Sequence, residues 1–297
     1  MEDEEHLEIV RYRETIERTE RVMGESVRTK VALMGYGAIN TVVAEAIING
    51  EAGNTALAAV LYRNTVKHRG CADRHPDLIF TDDPTEFLAA DAKIVVEAAG
   101  QDPTRQLGVS ILEQGRDLVV TSIGAFTDDK LFETMCDCAR ANGGRLLLAS
   151  GALPGVNWMH SAAMAGVLSA TITQIKPVKS WRDTPASDMI DLEALTEPTC
   201  FFDGTAREAA SAFPKSSNIT ALLALSTAGL DETRVRTIAD PTSDQLRTRI
   251  SFESEAGNLN VECQVLAAPT NPSTGVEVPL TVIKALKNLT SHISYGV

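Results

Sequence analysis

Aromatic side chains make up only 5% of this 297-residue chain, with two tryptophans among them. Positive charge is also scarce: 27 Lys and Arg stand against 40 Asp and Glu, a formal net charge of −13. Nucleic-acid and anionic-membrane phosphates repel such a chain at long range, so neither is an expected partner. A local basic pocket for a phosphorylated cofactor remains open. No run of 18 apolar residues occurs, so no transmembrane helix is expected. Cysteine is sparse and odd in number, at Cys71, Cys136, Cys138, Cys200 and Cys263. The Cys136-x-Cys138 pair has no second pair or nearby histidine to complete a zinc set, so no metal site is expected. The acidic N-terminus lacks the apolar core of a secretory signal, and with unpaired thiols this points to the cytoplasm. What the chain does have is 44% apolar residues, enough for a core.

Residues 1–27 read as a charged helical extension, with Ile9, Tyr12, Ile16 and Met23 at helical spacing. From Thr29 onward, strand and helix alternate. Strands are expected over 30–37, 56–63, 92–100, 117–125 and 145–152, with helices over 38–49, 83–90, 103–114 and 128–142. Asp83 ahead of Pro84 reads as a helix N-cap, and Gly143-Gly144 as a helix stop. This is the signature of an α/β fold: a doubly wound parallel sheet of Rossmann type, placed at 28–150. Past residue 150 the alternation loosens into strands over 171–178, 199–203, 234–240, 247–255 and 260–267, with helices over 206–213 and 219–227. That suggests a smaller, mostly antiparallel α+β domain over 151–270. A final apolar helix over 278–291 is expected to bring residues 271–297 back onto the first domain.

The sharpest local signal is Gly35-Tyr36-Gly37-Ala38-Ile39-Asn40. In such a turn the first glycine makes the bend. The second lets backbone approach a pyrophosphate, and the helix N-terminus that follows offers N–H donors. Here Asn40 replaces the third glycine, a position that serves helix–strand packing. An acidic residue at the end of the second strand would accept the ribose hydroxyls of NAD. This chain has Leu61-Tyr62-Arg63-Asn64 there, and Arg63 suits a 2′-phosphate, so NADP is favoured over NAD. Two further strand ends converge on the nicotinamide half: Ala99, Gly100 and Gln101 after one, and Ser122, Gly124 and Ala125 after the next. Glu97, just before the first, reads as a buried structural residue.

The sequence resembles the aspartate dehydrogenase family over residues 30–290, on GYGAIN (35–40), VEAAGQ (96–101), VTSIGA (120–125), SGALPGVN (150–157), KPVKSWRDTPA (176–186), FFDGTAREAASAFPKSSNITA (201–221), IADP (238–241) and NPSTG (271–275). The resemblance implies NAD(P)-linked oxidation of L-aspartate through iminosuccinate to oxaloacetate and ammonia. It also implies a homodimer built on the second-domain sheet. The family carries Asn-x-His-Glu after its Ala-Asp-Pro, with the histidine as acid/base. In this chain the histidine position falls on Thr248, the asparagine on Leu246 and the glutamate on Arg249. A hydroxyl of ordinary pKa does not shuttle protons near pH 7 as imidazole does.

Other residues must then be weighed for the proton and for the substrate. His160, after the SGALPGVN loop, is one acid/base candidate beside Thr248. Lys215 is another, placed before a helix N-terminus around Ser216–Asn218 where a cation and free N–H donors would form an anion pocket. Lys176, Asn157 and Asn218 join Lys215 as substrate-binding candidates, and either lysine could instead act as a base if desolvation lowers its pKa. His68 and His75 follow the second strand, and His6 and His292 lie near the ends. Trp181 either covers the cleft or packs. The leading reading is an NAD(P)-dependent oxidoreductase acting on a C–N or C=N bond of a small amino or imino acid, with aspartate and iminosuccinate as the default pair. The alternatives are a reductase of a different imine or ketone, and a cofactor-binding pseudoenzyme.

Overall fold

The structure is a computed structural model that describes residues 28–63, 78–268 and 271–296. The extension read over 1–27 and the residues His6, His68, His75 and Cys71 lie outside the described residues. Among the described residues no helix is long and apolar enough to cross a membrane, and no acidic, cysteine and histidine cluster suits a metal.

Six parallel strands form the first sheet: β1 (Thr29–Met34), β2 (Thr55–Leu61), β3 (Ile79–Thr81), β4 (Ile94–Glu97), β5 (Asp117–Val120) and β6 (Leu146–Leu148). Their order is β3-β2-β1-β4-β5-β6, so the winding reverses between β1 and β4. Ligands of open α/β sheets bind outside the strand C-termini at such a reversal. β1 is apolar on both faces because both are covered. Val31 and Leu33 pack with Val43 and Ile47 of α1 (Asn40–Ile48), and with Val282 and Leu286 of the C-terminal helix Val278–Thr290. Ala32 and Met34 face α2 (Pro84–Ala89), α3 (Gln101–Glu113) and α4 (Asp129–Asn142), through Phe87, Ile111, Leu112 and Met135. Asp83 does cap α2, accepting from the Thr85 N–H at 2.8 Å, and left-handed Gly143 ends α4.

A second, five-stranded sheet follows α5 (Val156–Ala163). It contains β7 (Val167–Pro177), β8 (Thr199–Thr205), β9 (Arg234–Asp240), β10 (Leu246–Ser254) and β11 (Gly257–Val265), in the order β11-β10-β7-β9-β8. Only β7 and β9 run parallel. One face buries Ile172, Val235, Ile250 and Phe252 against α6 (Ala206–Ala212) and α7 (Asn218–Ser226), in the same apolar core as Met34 and Val120. The two sheets therefore share one core. A capping box on Thr205 and Glu208 starts α6.

The sequence pattern missed β3, whose three residues are too few to show a period, and ran β5 five residues too long. The reason for the second miss is Glu97. This side chain is wholly buried at the end of β4. Its carboxylate accepts from the N–H groups of Ala99 (2.7 Å), Gly100 (2.9 Å), Ser122 (2.9 Å) and Thr121 (3.3 Å), and from the Ser122 hydroxyl (2.9 Å). The backbone after Val120 is thus turned toward β4, and it continues as the 3-10 turn Ile123–Thr127. Burial pushes the Glu97 pKa up, while the Ser122, Ala99 and Gly100 donors pull it down.

Removing the Glu97 carboxylate leaves five donors facing an apolar void. Glu97→Ala is expected to cost about 3 kcal/mol or more, and Glu97→Gln nearly as much because its NH2 would face N–H donors. Urea unfolding measures this. Asp102→Ala, at an exposed pair with Arg105, serves as the control and should stay within about 0.5 kcal/mol of wild type.

Candidate active site

The glycine turn leaves β1 at the reversal point. Gly35 has φ +91°, and a Cβ there would lie 2.7 Å from the Ala98 carbonyl oxygen and 2.8 Å from the Ala99 Cα. Its N–H donates to Leu61 of β2 at 2.8 Å. Only glycine fits. Gly37 is the opposite case: it is exposed, and a Cβ would meet nothing within 4 Å. Gly100, at φ +112°, likewise has open space beside it. These two openings, over the turn and over the start of α3, give a dinucleotide's diphosphate and ring room to approach backbone. Asn40 explains how the chain dispenses with a third glycine. It is fully buried, and its Nδ2 donates to the carbonyls of Met34 (3.1 Å), Gly35 (3.0 Å) and Val96 (3.4 Å), lacing β1 to β4. Tyr36 packs edge-on against Phe80, with ring centroids 5.7 Å apart. Ala38, Ile39 and Ala99 are half-buried along the same rim, and Arg63 is exposed beyond the end of β2.

The facing wall comes from the second sheet and the segment before α7. Gly124 donates its N–H to Asn218 Oδ1 at 3.0 Å, and a Cβ at Gly124 would overlap Ser217 Oγ and Gln101 Nε2. Gln101 Nε2 reaches the Pro214 carbonyl (2.9 Å) and Ser217 Oγ (3.2 Å). The ends of β4 and β5 therefore touch the start of α7 directly. Four expected cofactor contacts change role in this seam. Ala125 has no exposed surface and belongs to the core. The Ser122 side chain is spent on Glu97, the Gly124 N–H on Asn218, and the Gln101 amide on Pro214 and Ser217.

Alternation along β7 puts Ile172, Gln174 and Lys176 on the face that looks at this seam. Gln174 is buried and donates to the Ser216 carbonyl at 3.0 Å. Lys176 is half-buried; its Nζ donates to Ser216 Oγ at 2.9 Å and lies 4.9 Å from the centroid of the Trp181 ring. Trp181 itself packs, at 1% exposure, against Phe201 and Phe213, with its Nε1 on the Ile238 carbonyl. Burial pushes Lys176 down to about 8, with no carboxylate opposing it. Thr248 on β10 lies directly opposite Gln174 in the antiparallel register, on the same face and half-buried.

Two expected site residues fall elsewhere. His160 is exposed, and its Nδ1 donates to the carbonyl of Ser226 at 2.9 Å. Ser226 ends the helix that Asn218 begins, so at 1.5 Å per residue His160 stands about 12 Å from the seam. Asn157 is exposed and donates to the Gly296 carbonyl, so its amide serves the C-terminal segment. The side chain of Lys215 lies outside the described residues. Sequence reasoning passed over Gln174, although a glutamine at a buried position of an alternating strand is a readable signal.

A glycine turn at the reversal of a parallel sheet, with a polar seam closing over it, defines a nicotinamide-dependent dehydrogenase. A family profile described as "Homoserine dehydrogenase, NAD binding domain" matches residues 35–149, and one described as "Aspartate dehydrogenase, C-terminal" matches residues 157–289. An L-aspartate dehydrogenase of Brucella anthropi is 34% identical over 89% of this chain and 97% of its own length. One from Methanosarcina barkeri is 32% identical over 90% of this chain and 99% of its own. The crystal structure of the Thermotoga maritima aspartate dehydrogenase shares the fold, with TM-score 0.70 at 22% identity, over 90% of this chain and 99% of that one. The chain belongs to the L-aspartate dehydrogenase family.

The lowered Lys176 pKa is also a statement about stability. Below about pH 8 the folded chain holds a desolvated cation that the unfolded chain, with its pKa of 10.5, hydrates freely. This penalty shrinks as pH rises from about 8 and is gone above 10.5. Lys176→Met is therefore expected to stabilise the protein at pH 7 by on the order of 2–3 kcal/mol, with the gain fading toward pH 10.5. Thermal unfolding across that pH range measures it.

Proposed function

We propose that this chain oxidises L-aspartate to iminosuccinate, which water converts to oxaloacetate and ammonia, and that it runs the reverse amination. The observation that carries this reading is the open glycine turn together with the seam beside it, where Gln101 and Gly124 meet the same 214–218 segment that holds the half-buried ammonium of Lys176. The two relatives named above lend support by their names and by near-complete coverage of their lengths.

When bound, the nicotinamide supplies the acceptor or donor of hydride. In this reading the backbone of Gly35, Tyr36, Gly37, Ala38 and Ile39 and the α1 N-terminus hold the diphosphate. Ala99 and Gly100 give the ring a flat approach. Arg63 favours the 2′-phosphate of NADP over the bare ribose of NAD. Lys215 supplies positive charge for the substrate carboxylates. Asn218 spends its carbonyl on Gly124, which leaves its NH2 to donate to a carboxylate. Thr248 orients a water or the substrate carbonyl from the facing strand. A homodimer working in the cytoplasm completes the proposal.

Thr248 in place of the family histidine favours one second reading, reduction of a different imine or ketone at the same seam. Oxidation of NADPH or NADH by the purified protein with oxaloacetate, with and without ammonia, separates the readings. Ammonia-dependent turnover is expected. Turnover without ammonia points to ketone reduction, and none on oxaloacetate overturns the aspartate assignment. Arg63→Ala should raise KM for NADPH about 10- to 100-fold, as loss of one charge-assisted phosphate contact does, and shift KM for NADH by less than about 3-fold. Equal shifts for both cofactors would remove Arg63 from the 2′-phosphate site.

A further inference from the structure

The reaction proposed above moves a proton as well as a hydride, and few groups at the seam can carry one. Facing it are the amides of Gln174 and Asn218, the hydroxyls of Thr248, Ser216 and Ser217, and the ammonium of Lys176. Amides and hydroxyls do not gain or lose a proton near neutral pH. We infer that Lys176 is the proton carrier of this active site, and that Ser216 and the Trp181 ring hold it in place. This inference rests on the dehydrogenase reading.

Three observations converge on Lys176. First, its position reaches the place where Thr248 fails. Thr248 is paired with Gln174, and Lys176 stands two residues further along the same face of β7, which makes Lys176 and Thr248 diagonal cross-strand neighbours. Diagonal Cβ atoms lie about 7–8 Å apart, within reach of a lysine's four-carbon stem. Second, its partners leave it able to exchange a proton. Ser216 Oγ takes one N–H, and the tryptophan face holds a cation without neutralising it. Third, among the described residues no neighbouring charge fixes its state. Lys179 is paired with Asp244, and Asp240 with Arg247 on the other face of the sheet. Cys263 stands across β10 from Lys176, paired with Thr248. The side chain of Lys215, next to Ser216, lies outside the described residues. Burial alone then brings Lys176 down to about 8, where both of its forms are populated in a neutral buffer.

The chemistry balances around one nitrogen. In deamination the aspartate ammonium must first become an amine, and neutral Lys176 Nζ takes that proton. The Cα–H bond then breaks with its electron pair leaving to the oxidised nicotinamide, and the C–N bond becomes C=N. In amination the protonated Lys176 returns the proton to the nascent amine. The substrate is oxidised by two electrons, the nicotinamide is reduced by two, and Lys176 changes only by one proton.

The test uses the full chain with Lys176→Ala and Lys176→Arg. Cofactor fluorescence titration establishes that each variant folds and binds NADPH. Both are expected to lose kcat by about 100-fold or more, as removal of a general acid or base does, with KM for aspartate changed far less in Lys176→Arg. Methylamine added to Lys176→Ala should restore part of kcat. An independent readout is NMR of wild-type protein carrying 13C-labelled lysine, with the Lys176 signal assigned by its loss in Lys176→Arg. Its midpoint is expected near pH 8, matching the pH at which wild-type kcat for deamination rises. Retention of kcat within about 5-fold by Lys176→Arg would make the residue a fixed charge for a carboxylate and overturn the inference, as would an NMR midpoint above about 10. A wild type inert toward aspartate, and toward oxaloacetate with ammonia, fails earlier: it overturns the dehydrogenase reading itself and this role with it.

Discussion

A buried carboxylate holds the ligand side of this molecule in shape. The C-terminal ends of parallel strands would otherwise splay, because each must turn away into its own helix. Glu97 gathers the backbone after β4 and the backbone after β5 onto one side chain, through five donors. One strand away Asn40 does the same with acceptors, drawing the carbonyls of Met34, Gly35 and Val96 onto one amide. Two polar side chains, each without exposed surface, thus fix three consecutive strand ends. Buried polar groups are costly unless partnered, and the partnering of the Glu97 carboxylate and of the Asn40 Nδ2 is what orients the peptide groups here, although Asn40 Oδ1 itself finds no partner. The flat rim of Ala99 and Gly100 is a consequence of that arrangement.

The second sheet is positioned by contacts that depend on this rim. Gln101 begins the helix that Glu97 anchors, and it is Gln101 that reaches Pro214 and Ser217. Gly124 lies in the turn after Ser122, and it is Gly124 that donates to Asn218. On the far side of the junction Arg207 of α6 bonds the Thr127 carbonyl at 3.2 Å and pairs with Asp129 and Asp231. The apolar core runs unbroken beneath these contacts, through Val120, Ile123, Ile172 and Leu223. A domain boundary crossed by both a continuous core and a polar seam sets a fixed distance between strand ends and facing sheet. Hydride transfer needs such fixed geometry more than it needs any one acid or base.

Much of this was legible in the sequence because the relevant signals are local. Asp83 with Pro84, Gly143 after α4 and the apolar run before Gly35 each act within a turn or two of the chain, and the structure has them where the pattern put them. The errors at the candidate site share one cause, the direction in which a side chain or segment points. Ser122 and Ala125 sit after a strand of the right kind, yet Glu97 curls that backbone so that Ser122 points inward and Ala125 enters the core. His160 is close in sequence to a loop that leaves the strand ends, but α5 carries it to the wrong end of α7. Asn157 faces the chain's last residues. Lys176 was readable as a charge in a matching segment. That it faces the seam, rather than the outer face where Arg234 and Arg236 pair with Asp203, follows from a strand alternation that sequence alone registers only to within a residue.

That alternation also bears on why a lysine stands at this position at all. A cation on the inner face of a strand, with a hydroxyl and an aromatic ring for company, is a poor way to build a core. A methionine of similar length would fill the same space without the desolvation cost. Beyond the Ser216 hydroxyl and the Trp181 face, no carboxylate among the described residues recovers that cost: Asp240 is committed to Arg247 and Thr242, Asp244 to Lys179, and Glu97 to backbone. The aromatic cluster of Trp181, Phe201, Phe213 and Phe202 instead makes the surroundings drier. Places where a local rule of stability is broken without local compensation are where chemistry is expected. The dryness that makes Lys176 expensive to the fold is the property that brings its proton within reach of exchange at neutral pH, so the cost and the chemistry have a single physical origin.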